Sequence, residues 1–93
     1  MSGKITKQDI TMQIVGQLAH YHKDTWKNES DHKWLDGLFS EFDQLGMSIE
    51  GIHEHDLNHE LAQIASIAIN WMVRNGYDAK DLRQSLVKSG HLI

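Results

Sequence analysis

The chain has 93 residues, 40% of them apolar and 24% charged, with a formal net charge of -4. That length allows one domain, and the composition is globular rather than disordered. Nine scattered basic residues against thirteen acidic ones exclude a general nucleic-acid binder, and the absence of cysteine excludes disulfide and thiolate chemistry.

Proline is absent, and the seven glycines fall mostly between periodic segments, which predicts helices rather than a turn-rich β fold. The longest apolar run is broken by Ser66 and Asn70 and falls short of a membrane span. Met1-Ser2-Gly3-Lys4 leads into a polar segment rather than a secretory signal, so the expected location is cytoplasmic. A domain this small folds alone only marginally, which predicts a homo-oligomer, a dimer or a dimer of dimers.

In chain order, Thr6 and Asp9 have the spacing of a capping box, and Ile10, Ile14, Leu18 and Tyr21 mark one stripe. The first helix is predicted from about Lys7 to Lys23, with Gly16 as the mark of a close helix crossing. Asp24 to Glu29 reads as a loop with Trp26 as its aromatic anchor. Ser30 suits an N-cap, and Trp34, Leu35, Leu38, Phe39, Phe42 and Leu45 carry a second helix from about Asp31 to Gln44 or Ile49. Gly46 and Gly51 are expected to bracket the connection that follows.

The third helix is predicted from Glu54 or Asp56 to Arg74, stopped by Asn75-Gly76. Leu61, Ile64, Ala65, Ala68, Trp71 and Met72 form one apolar face, and Ile67, Ile69 and Val73 extend it around the helix. This helix is therefore expected to be central and buried nearly all round, partly by a second copy of the chain. Asp78 caps a short fourth helix carrying Leu82, Leu86 and Val87, which Gly90 ends. The fold class is all-α: three main helices plus a short C-terminal one in a single domain, residues 1–93.

Two pairs of polar side chains stand out. Glu41 and Gln44 lie three apart on the second helix, and Glu60 and Gln63 repeat that spacing on the third. Residues three apart are neighbours on a helix surface, so two such pairs can face each other across an antiparallel helix pair and offer oxygen ligands to a hard cation.

With these residues goes a family resemblance. Trp34-Leu35-x-x-Leu38-x-x-Glu41-x-x-Gln44-Leu45, followed by Glu60-Leu61-Ala62-Gln63-Ile64-Ala65-x-x-Ala68-x-x-Trp71, resembles the MazG-like all-α nucleoside triphosphate pyrophosphohydrolases, particularly their short phage-type members. The resemblance covers the middle half of the chain. It implies a single MazG-like domain that binds a nucleoside triphosphate and Mg²⁺ and releases a nucleoside monophosphate and pyrophosphate. It implies Glu41, Gln44, Glu60 and Gln63 as the metal positions, with Glu41 and Glu60 as the catalytic acids, and Trp26 as a base-stacking residue.

Two of the four positions depart from the family's Glu-x-x-Glu and Glu-x-x-Asp pairs. A glutamine carbonyl can ligate Mg²⁺ but brings no charge, and one unit-charge pair at ~4 Å is worth roughly 4 kcal/mol at an effective dielectric near 20. Ser40 also replaces an acid that commonly precedes the first ligand. The competing function is therefore a non-catalytic module that binds a nucleotide or a protein partner on the same scaffold.

A third reading rests on His53, His55 and His59. His55 and His59 stand one helical turn apart, the geometry of many zinc pairs, with Asp56 or Glu60 as a carboxylate neighbour. A fixed third and fourth ligand is missing, which argues against zinc. Trp34 and Trp71 lie on apolar stripes and are expected in the core. Lys27, Lys33, Arg74 and Lys88 are the basic residues that could meet phosphate, and nothing resembles the context of a nucleophilic serine.

Overall fold

The computed structural model describes residues 5–52, 56–76 and 78–92. These residues form helices and turns only. Helix α1 is continuous from Lys7–Asp9 through Ile10–Val15 to Gly16–Tyr21, α2 is Asp31–Ile49, α3 is Leu57–Asn75 and α4 is Ala79–Lys88. The fold is all-α, and no described helix is long and apolar enough to cross a membrane.

The caps form where short polar side chains precede apolar periodicity. Thr6 and Asp9 make both halves of the capping box on α1. Ser30 Oγ accepts from the Lys33 amide, and Asp56 Oδ1 accepts from the His59 amide at 2.8 Å. Asp78 caps α4 by accepting from the Lys80 amide, and Gly76, at φ 73°, supplies the left-handed stop of α3.

Two glycines act differently from the sequence expectation. Ile10–Val15 is a π-helical turn, and the Gly16 amide donates to the Thr11 carbonyl five residues back. A Cβ on Gly16 would meet that carbonyl oxygen at 2.8 Å, so Gly16 serves this turn rather than a helix crossing. Gly46 does not end α2, which runs through it to Ile49; the chain turns at Gly51, whose φ is +74°.

Helix α3 is central: both α1 and α2 pack on it, whereas α4 packs on none of the other three. Polar latches fix these crossings. Asp31 Oδ1, at the start of α2, accepts from Trp71 Nε1 at 2.9 Å and from Arg74 Nη1 at 2.7 Å, and Arg74 Nη2 donates to the Glu29 carbonyl. Arg74 is thus committed to holding α2 rather than open to phosphate. On the other side, Asn70 Nδ2 donates to the Ala19 and His22 carbonyls at the end of α1.

The expectation that α3 is buried nearly all round does not hold within one chain. Its two fully buried residues are Glu60 and Ser66, whereas Leu61, Met72 and Val73 are exposed. The described apolar core is Val15, Ala19 and Trp34. The surface area is 7382 Å², where a compact monomer of 10.7 kDa has roughly 5,500 Å². On α2, Leu35, Phe39, Phe42 and Ile49 are exposed at four- and three-residue spacing, with Gly46 between the last two. A stripe of that period is the seam of a helix that pairs with another.

Candidate functional site

The antiparallel crossing of α2 and α3 brings Glu41 and Glu60 together. Glu60 enters from the first turn of α3 and is completely buried, and its carboxyl is hydrogen-bonded to that of Glu41. Such a bond needs one proton between the two carboxyls, since ionised carboxylates only accept. Burial pushes the Glu41 carboxyl up from 4.5 to about 7, reinforced by the hydrogen bond from Glu60 and by the repulsion of its charge.

Gln63 completes this arrangement one turn further along α3. With its amide nitrogen toward Glu41 it donates to both carboxylate oxygens, at 3.1 and 3.2 Å, and its oxygen accepts from His59 Nε2 at 2.9 Å. A chain of hydrogen bonds therefore runs from His59 through Gln63 to Glu41 and Glu60. In this chain an amide at position 63 orients Glu41, which an ionised aspartate at the same place would repel.

These groups open onto a cavity of about 180 Å³ lined by His22, Thr25, Trp26, Trp34, Glu41, Gln63, Ser66, Ile67 and Asn70. Trp34 is 2% exposed and stacks on Trp71 at 6.0 Å, so it belongs to the core and to the cavity wall at once. Trp26 meets Trp34 edge to face at 5.5 Å and 87°. Its backbone is left-handed, at φ 57°, a conformation that costs a non-glycine residue about 1 kcal/mol or more. The indole is seated against Gly37: a Cβ at residue 37 would overlap the six-membered ring of Trp26. Lys33 Nζ lies over that indole at 5.7 Å from its centroid.

Of the residues expected from sequence, Glu41, Glu60, Gln63 and Trp26 come together here. Gln44, one turn along α2 from Glu41, is half-buried and off the cavity wall. His53 and His55 lie outside the described residues, and His59 Nε2 is engaged by Gln63. Gly37, Ser66 and Asn70 are site residues that the sequence reading did not assign. Ser66 and Asn70 did leave a signal, because with His59 and Gln63 they form a polar stripe at helical spacing along an apolar helix.

The donor set can be tested against a divalent cation. Among the described residues no three His, Asp or Glu side chains converge as a ready-made cluster. Two facing carboxyls that must share a proton are nonetheless a place where a cation can replace that proton, and Mg²⁺ commonly takes one or two carboxylates and completes its shell with water and substrate phosphate. The pair fits one ion that shares its shell with a ligand, not an ion caged by protein alone. No family model, no curated protein and no solved structure matches this chain.

Proposed function

We propose that the chain is a MazG-like domain that binds a nucleoside triphosphate with Mg²⁺ and hydrolyses it to a nucleoside monophosphate and pyrophosphate. The observation that carries this reading is the meeting of Glu41 and Glu60, from facing helices, at the edge of a tryptophan-walled cavity. Glu41 and Glu60 would hold the ion, and Gln44 lies too far from the cavity wall to be more than an accessory ligand. When bound, Mg²⁺ supplies charge neutralisation of the triphosphate and polarisation of the phosphorus under attack.

The chain's own residues supply the rest. Glu41, with its carboxyl near 7, can hold or release a proton at neutral pH, as a general base for water requires. Gln63 fixes its orientation, and His59 fixes Gln63. Trp26 offers an indole to a base. The exposed α2 stripe and the surface excess of roughly 1,900 Å² per chain suit a homodimer, since obligate dimers bury roughly 2,000–5,000 Å² in total.

A second reading is favoured by Gln63: with an amide rather than an acid beside Glu41, the site has less negative charge to hold a cation and could bind a nucleotide without turnover. The two are separated by measuring pyrophosphate release from the common nucleoside triphosphates. Catalysis predicts Mg²⁺-dependent release that disappears in Glu41→Ala and in Glu60→Ala. The binding module predicts saturable binding with no release, and turnover gained in Gln44→Glu/Gln63→Asp.

A further inference from the structure

The same cavity has a size and a polarity that no part of the reading above uses. Its volume of about 180 Å³ is close to that of an engineered cavity of ~150 Å³ that holds one benzene ring. A single six-membered ring fits it, and a fused two-ring purine overfills it.

Two polar groups of the wall are unsatisfied. Trp34 Nε1 is buried and has no acceptor. Asn70 spends its amide nitrogen on the Ala19 and His22 carbonyls, which fixes the side chain and leaves Oδ1 accepting nothing among the described residues. A buried donor without an acceptor costs roughly 1–3 kcal/mol, and such a group in a cavity wall marks a place where a ligand can supply what the protein lacks. The complement is a flat ring that brings one acceptor and one N–H. A hydrocarbon ring brings neither, whereas the pyrimidine bases carry a carbonyl oxygen together with a ring or exocyclic N–H. The remaining wall is suited to a flat ring: the Trp26 indole seated on Gly37, with Ile67 also in the lining.

We infer that this cavity is a base subsite that selects pyrimidine over purine nucleotides, with the ring against Trp26, an N–H donated to Asn70 Oδ1 and a carbonyl accepting from Trp34 Nε1. The inference rests on the nucleotide reading above and adds to it which class of base is taken. Asn70 and Ile67 become the residues that set this choice, the first by its acceptor and the second by the space it occupies.

The test is a titration of the full-length chain with non-hydrolysable analogues of CTP, UTP, ATP and GTP in the presence of Mg²⁺, followed by quenching of tryptophan fluorescence. The pyrimidine analogues are expected to bind about tenfold or more tightly than the purine ones, the scale on which a close-fitting pocket discriminates by size. Ile67→Ala enlarges the wall and is expected to improve purine binding and narrow the ratio. Asn70→Ala is expected to weaken pyrimidine binding; because its amide also latches α1, circular dichroism must show that the variant is folded, and Ile67→Ala carries the test if it is not. Purines binding as well as pyrimidines, or an unchanged ratio in Ile67→Ala, would overturn the inference while the nucleotide reading stands. Failure of all four analogues to bind would overturn both together.

Discussion

The two faces of α2 behave in opposite ways. Toward α3 the chain seals Trp34 and meets Glu60, a carboxylate with no exposed surface at all; away from α3 it leaves Phe39 57% and Ile49 70% exposed. A folding chain gains most by burying apolar groups and loses by burying charge, so a domain that hides Glu60 while exposing phenylalanine is not at its own stability optimum. The difference teaches that the two faces answer to different partners. The inner face is shaped for a ligand that can compensate a buried acid, and the outer face for another helix.

The largest effect is expected inside. Trp34 joins Trp26, Trp71 and the cavity wall, and Trp34→Ala should cost about 3–5 kcal/mol, much of the stability of a small domain. A broad, weakly cooperative thermal transition would be the sign. Next comes the outer face: Phe39→Asp/Phe42→Asp places charge on the exposed seam and should shift the mass in analytical ultracentrifugation from twice 10.7 kDa to 10.7 kDa, with helicity retained. A variant that stays dimeric would move the interface elsewhere and break the contrast between the two faces.

Smaller and more informative is pH. Because the Glu41 carboxyl is raised in the folded chain, the folded state keeps a proton that the unfolded chain releases between pH 4.5 and about 7. Stability from this group is fully present below pH 4.5 and is lost as pH rises through about 7. Glu60→Gln removes the buried charge, so its melting temperature should exceed that of the wild type at pH 8 and the gap should narrow toward pH 5. The smallest effect is expected from Gly37→Ala. It improves helix propensity by up to about 1 kcal/mol but pushes Trp26 out of its seat, so near-neutral stability with altered tryptophan fluorescence is expected.

Much of the inner face was legible in the sequence. Thr6, Ser30, Asp56 and Asp78 announce helix starts because a cap is a local bargain between one side chain and the next turn, and the spacing of Glu41, Glu60 and Gln63 already sets them on helix faces that can meet. Gly16 and Gly46 misled for a physical reason: a glycine permits a stop but does not impose one, and apolar periodicity carried α2 past Gly46. The outer face was legible as a period and not as an environment. A 3.6-residue repeat of apolar side chains is the same whether the cover comes from within the chain or from another copy, so α3 read as buried when its sealed residues are Glu60 and Ser66. Gly37 and Asn70 stayed hidden because their roles depend on an indole and two carbonyls more than ten residues away.

The most direct test of the inner face is calorimetric titration of the chain with Mg²⁺ and a non-hydrolysable triphosphate at pH 6 and pH 8, beside Glu60→Gln. If Glu41 and Glu60 hold a cation in place of their shared proton, binding is tighter at pH 8, releases a proton, and raises stability by about 2.7 kcal/mol at a hundredfold excess over Kd, all of it absent in Glu60→Gln. Binding that is equal at both pH values and unchanged in Glu60→Gln would contradict the account, and would make the buried acid pair a structural feature with no part in ligand binding.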